Sequence, residues 1–290
     1  MATVYEVITD RIIQQLEAGT APWRKPWRVS GKNGLPRNLV TMREYRGINV
    51  FILLSSGFSS PYWLTYRQAQ MVGGRVRQGE KGFPVVFWKV AAAEVQDEDE
   101  TVERPSRFLC RYYTVFNIDQ CDGLRLKPAH LVENKPQTQQ IEACERVVTD
   151  WQQKPTVTHG GDCASYSKTL DLVRMPERDS FESAEEYYST LFHELTHSTG
   201  HPARLNRSTL TDFERWGDAT YSREELVAEL GSAFLAGYCG IENRTINNSA
   251  AYLANWLQAL RQDNRTIVIA GSQAQKATDM ILGVSPAITT

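Results

Sequence analysis

The run Leu191-Phe192-His193-Glu194-Leu195-Thr196-His197 places two imidazoles four residues apart, with a carboxylate beside the first. On a helix, positions i and i+4 share a face, so both rings can reach one cation. The cation such a pair serves is Zn2+, or another divalent ion such as Mn2+. Glu194 then stands where it can take a proton from water whose pKa the metal has lowered to about 7. HExxH also arises by chance, and a surface helix can carry two histidines to no chemical end. Against that reading, the chain holds 5 His, and His193, His197 and His201 fall within nine residues.

A catalytic zinc takes three protein ligands and keeps one position open. His201 is a minor candidate for the third, because the pattern HExxHxxGxxH, matched through Gly200, puts its last histidine at Ala203. The better source is the segment Ser222-Arg-Glu-Glu-Leu-Val-Ala-Glu-Leu-Gly, a predicted helix carrying Glu224, Glu225 and Glu229. Glu225 and Glu229 share a face. Zincins of the glutamate type read ExxxD here with the first acid on the metal, which favours Glu225. Ser222 to Glu225 also reads as a capping box, which would occupy Glu225 and leave Glu229 for the cation. Both stay open, the other acid supporting a ligand from behind. Tyr221, just before this helix, is a candidate donor to a tetrahedral oxyanion, although a tyrosine there more often packs.

The helix carrying the motif opens at a capping box, Ser183-Ala-Glu-Glu186, and closes at Gly200 and Pro202. Further helices are predicted over 4–18, 46–55, 65–72, 138–154, 222–238 and 247–263, and a last one from 272. Strands are predicted over 75–77, 82–90, 108–117, 170–174 and 266–270. The strand at 170–174 falls where zincins carry the edge strand that pairs with an extended peptide. Residues 94–104 hold six acids and read as an exposed acidic loop, and 123–136, with Pro128 and Pro136, as a linker. The fold class is α+β with two domains, a basic mixed α/β module over 1–130 and a module over 131–290 that carries the HExxH helix.

Composition excludes other classes. No apolar run approaches the roughly 18 residues of a membrane span, so no membrane partner is expected. The first residues form an acid-bearing amphipathic helix rather than a signal peptide. Five cysteines, odd in number and without CxxC, read as free thiols in a reducing compartment, which places the chain in the cytoplasm.

Charge is divided unevenly. Residues 1–93 hold 13 Lys and Arg against 5 acids, a balance of +8, which leaves −10 for the remainder of a chain whose total is −2. Aromatics interleave with those cations. Phosphates take the charge and bases stack on rings, so the mix suits single-stranded nucleic acid. The expected contacts are Trp23, Arg24, Lys25, Trp27, Arg28, Tyr45, Arg46, Arg67, Arg75, Arg77 and Lys81. Trp63 and Trp88 can instead be core residues, and Arg75 to Lys81 a solvated hairpin.

Trp23-Arg-Lys-Pro-Trp27, Tyr45-Arg-Gly-Ile-Asn49 and Tyr113-Thr-Val-Phe-Asn-Ile-Asp-Gln120 resemble the ArdC antirestriction family of conjugative plasmids. The likeness continues through His193-Glu-Leu-Thr-His-Ser-Thr-Gly-His201, Arg204-Leu-Asn-Arg207 and Arg223-Glu-Glu-Leu-Val-Ala-Glu229, and it spans nearly the whole chain. A similar N-terminal module also accompanies plasmid primases. The resemblance implies an N-terminal single-stranded-DNA-binding domain and a C-terminal zincin-like metallopeptidase domain. It further implies protection of incoming plasmid DNA from the recipient's restriction enzymes, with a restriction-system component as a possible protein substrate. Two other classes compete: a DNA-binding shield with a catalytically silent metal site, and a protease that clears proteins crosslinked to DNA. A metal-dependent nuclease is disfavoured, for want of further aspartates and a second metal site.

Overall fold

The computed structural model describes residues 3–19, 21–24, 35–91, 107–124, 137–211, 219–241 and 250–284. The acidic segment 94–104, most of the linker, and Lys25, Trp27 and Arg28 lie outside them.

The N-terminal module opens with α1 (Val4–Glu17), held at its start by a reciprocal capping box between Thr3 and Glu6. Then follow β1 (Arg37–Asn38), α2 (Ile48–Leu54), β2 (Tyr62–Thr65), α3 (Tyr66–Met71), β3 (Arg75–Val76), β4 (Phe83–Ala91), β5 (Arg107–Asn117) and β6 (Cys121–Asp122). Four strands form a sheet in the order β1-β2-β5-β4, in which only the β1–β2 pair is parallel. β3 and β6 make a separate antiparallel pair.

The second module comprises α4 (Gln137–Asp150), β7 (Thr156–His159), β8 (Ser165–Ser167), β9 (Leu172–Met175), α5 (Ala184–Ser198), α6 (Ser208–Thr211), α7 (Ala219–Cys239), α8 (Ala250–Gln262) and α9 (Thr266–Leu282). Its sheet runs β7-β9-β8, with β9 parallel to β7 and antiparallel to β8. The strand predicted at 170–174 is therefore the middle strand, and the edges belong to Thr156–His159 and Ser165–Ser167. Residues 266–270, read as a strand from their β-branched run, are the first turns of α9. Tertiary packing overrides the local preference there, because a helix lets Ala270 and Ala274 sink into the core.

α7 is buried on nearly every side, the pattern of a helix enclosed by protein. One flank joins a cluster that includes Ile8, Trp23, Phe51, Trp63 and Val85 from the first module, together with Leu226, Leu230, Phe234 and Trp256. Phe51 and Phe234 lie 4.7 Å apart between ring centroids, and Trp23 meets Trp256 edge-on at 5.5 Å. The other flank joins α4, α5 and β9 through Leu235, Ala236, Cys144, Phe192 and Val173. Two domains thus share one central helix. Further ties are the Arg46–Asp279 ion pair and the Gly47 N–H donated to Gln275 Oε1 at 3.0 Å.

Candidate metal centre

α5 starts at Ser183, whose hydroxyl accepts the Glu186 N–H. The Glu186 carboxylate accepts from Glu182 rather than from Ser183, so the expected reciprocal box is displaced by one residue. Two turns on, α5 turns His193 and His197 toward α7. The two Nε2 atoms lie 3.1 Å apart, and Glu225 sets its carboxylate oxygens 3.5 Å from one and 3.3 Å from the other. A tetrahedral cation with ligand bonds of about 2.0–2.1 Å separates its donors by about 3.3 Å. The set His193, His197, Glu225 therefore has the size and chemistry of a divalent-metal site.

The choice of Glu225 over Glu229 follows from the start of α7. The described helix is already formed at Ala219, so Ser222 lies inside it, buried, and the capping box predicted there does not form. Glu225 is left free to turn inward. Glu229, one turn on, stands 3.7 Å from His193 Nδ1, behind the ligand ring. His201 is outside the cluster, and its Nδ1 accepts the Ala203 N–H at 3.1 Å.

Two residues that the sequence reading did not assign complete the surroundings. Glu224 faces His197 Nδ1 at 3.3 Å, which keeps the imidazole proton on that nitrogen and leaves the Nε2 lone pair for a cation. Arg207 clamps Glu224 through Nη2 at 2.6 Å and Nε at 3.1 Å, and it also donates to Thr199 Oγ1 and the Thr196 carbonyl. Glu224 is buried, which would raise its pKa, yet Arg207 and His197 hold it at about 2. His197 is raised to about 10 against the burial that would lower it, because Glu225 and Glu224 surround it with negative charge. That field is one a divalent cation satisfies. Their signals were available: adjacent acids at 224–225, and a second arginine in Arg204-Leu-Asn-Arg207.

Glu194 is buried beside the two histidines, and that burial raises its carboxyl pKa, with Glu225 adding to the rise and His193, His197 and a Tyr166 backbone N–H from the edge strand β8 opposing it. Tyr221 is inside α7 rather than before it, one turn ahead of Glu225 and on its face, and is buried.

The expected DNA contacts fare differently. Trp23 has 0% exposure and belongs to the core, so it is not a surface ring for stacking. Tyr45 is 7% exposed, with its hydroxyl near Asn38, and is likewise packed inward. Hydrophobic burial outcompeted exposure at both, and Trp63 is core as well. Arg46 spends its guanidinium on Asp279. Arg24 lies in a short 3-10 turn. Arg67, Arg75, Arg77 and Lys81 are exposed, although Arg77 is paired with Glu80 at 2.8 Å.

Similarity to known proteins decides the family. The family described as the N-terminal domain of anti-restriction factor ArdC matches residues 2–116, and the one described as zincin-like metallopeptidase matches 142–273. The crystal structure of the metal-free antirestriction ArdC protein from the R388 plasmid superposes with a TM-score of 0.75 at 38% identity, covering 97% of each chain. This chain belongs to the ArdC antirestriction family. The Mn(II)-bound structure of that ArdC protein gives a TM-score of 0.76 at 36% identity, covering 97% of this chain and 98% of that one. Among curated sequences, a DNA primase TraC of Escherichia coli is 37% identical over 96% of this chain, which spans 27% of the primase's length. The uncharacterized protein y4eC of Sinorhizobium fredii is 37% identical, with 95% of this chain and 90% of that protein aligned. ArdC membership accounts for the pairing of these two domains, and no described helix is long and apolar enough to cross a membrane.

Proposed function

We propose that this protein binds single-stranded plasmid DNA entering a recipient cell and protects it from restriction, using a zinc-type site in its second domain. The observation that carries the reading is the donor set of His193, His197 and Glu225, with Glu194 buried beside it; Glu225 stands on α7, whose other flank packs against the basic module.

A divalent cation held there supplies a Lewis acid that polarises a carbonyl and makes water a nucleophile at neutral pH. The chain's own residues do the rest. Glu194 takes the proton of the attacking water at its carboxylate and returns it to the leaving amine. Tyr221 is the donor assigned to the developing oxyanion. β8, at the edge of its sheet and tied to Glu194 through the Tyr166 N–H, offers its outer backbone to an extended peptide, the mode of strand addition. The protein substrate is a component of the restriction system, and the work is done in the cytoplasm.

The test is plasmid transfer into restricting and non-restricting recipients, with wild type and Glu194→Gln, alongside metal and single-strand binding in vitro. Wild type should raise transfer only into the restricting recipient. Glu194→Gln should keep both binding activities and lose protection. Full protection by that variant would instead mean that the protein acts as a shield and its metal site is catalytically silent.

A further inference from the structure

The cores of the N-terminal module end partway along the β4–β5 ribbon. On one face of the ribbon, Phe83, Val85 and Val115 are buried. One step further on the same face, Phe87 is 45% exposed and Tyr113 is 50% exposed. The register pairs Phe83 with Val115, Val85 with Tyr113 and Phe87 with Arg111, so the two rings and the exposed Arg111 form one patch. Phe87 and Tyr113 meet edge-to-face at 5.5 Å between centroids and 75° between planes. β2 pairs with β5 only as far as Val115, so beyond that point the ribbon is two-stranded among the described residues.

Large rings left in water on a sheet ribbon call for a ligand. The charge says which kind. Within the strands themselves, Phe83–Ala91 and Arg107–Asn117 carry Lys89, Arg107 and Arg111 and no carboxylate, the six acids of 94–104 falling in the segment that joins them, so the stretch suited to a polyanion is the strands and not their connection. Rings projecting from a ribbon suit a polyanion whose bases are unstacked, since duplex bases already stack on each other. On the single-strand reading above, we infer that Phe87, Tyr113 and Arg111 form the base-stacking platform for the strand. The role expected of Trp23 and Tyr45 passes to rings that face solvent. Tyr112 is 51% exposed but points to the opposite face of the ribbon, and serves as the control.

The experiment is fluorescence anisotropy on the full-length protein at fixed salt. The probes are a labelled oligo-dT and a strand of equal length made of abasic units, which keeps the phosphates and has no bases. Phe87→Ala and Tyr113→Ala should each weaken oligo-dT binding about 5- to 150-fold, with melting temperature unchanged because both side chains are exposed. Tyr112→Ala should change it far less. Wild type should prefer oligo-dT to the abasic strand, and the double variant should lose that preference. Wild-type binding that survives both substitutions overturns the platform, as does a loss confined to Tyr112→Ala. Failure of wild type to bind either strand would instead overturn the single-strand reading itself.

Discussion

Gly231 on α7 faces Thr196 on α5 so closely that a methyl group on the glycine would lie 2.4 Å from Thr196 Cγ2. Thr196 stands between the two ligand histidines in sequence, and Gly231 lies six residues beyond Glu225. This contact sets how near the two helices come, and so whether a glutamate side chain can meet both imidazoles. Gly231→Ala should lower stability by about 1–3 kcal/mol, the usual cost of overpacking. It should also weaken Mn2+ binding, read by titration with electron paramagnetic resonance. Thr196→Ala in the same chain should restore part of both, and an unchanged metal affinity in the single variant would refute the spacing role.

Arg207 holds Glu224 and Glu224 faces His197 Nδ1, so any effect of the pair on a bound cation should pass through His197. Glu224→Gln should weaken metal binding about 10- to 100-fold, the range for outer partners of ligand histidines. Arg207→Ala leaves Glu224 buried without its guanidinium and should destabilise the fold by about 3–5 kcal/mol. Calorimetric titration with Zn2+ and thermal melting of the apo protein separate the two effects.

Glu225 and Glu229 should differ in kind. Glu225→Gln removes a ligand and should abolish stoichiometric metal binding, whereas Glu229→Gln should only reduce the affinity. Equal loss in both variants would mean that Glu229 also reaches the cation.

Trp23 and Phe51 pack on Trp256 and Phe234, so the larger core of the first module is completed by the second, beside a smaller cluster of its own around Leu39, Tyr62 and Leu64. Phe234→Ala should cost about 3–5 kcal/mol and lower the unfolding temperature of both domains together. Two separate transitions, one of them unaffected, would contradict the shared core.

Asp171, in the turn between β8 and β9, accepts from Arg204, which also donates to the Ser198 carbonyl at the end of α5. Arg204 holds the Asp171 carboxyl below its ordinary value. A depressed folded pKa contributes stability that is present above the unfolded value of about 3.9 and is lost as pH falls below it. The melting-temperature gap between wild type and Asp171→Asn should therefore be constant near neutrality and close in acid. A gap that does not narrow at all as the pH is lowered into the acid range would show that Asp171 acts other than through its charge.

The sequence alone determined what lies on one face of one element. Helical spacing placed His193, Glu194 and His197 together, and composition separated a basic module from an acidic one, because both are properties of neighbouring residues. The tertiary structure decided what each face meets. Glu225 and Glu229 share a face of α7, and only the position of that helix against α5 set the first beside both imidazole Nε2 atoms and the second behind the His193 ring. Trp23 and Tyr45 sit among cations, yet cores are filled by volume and apolar area rather than by local charge, and both went inside. β9 became a middle strand, and residues 266–270 a helix, for the same reason. Strand order and helix packing are settled by contacts far apart in the chain, which local periodicity does not record.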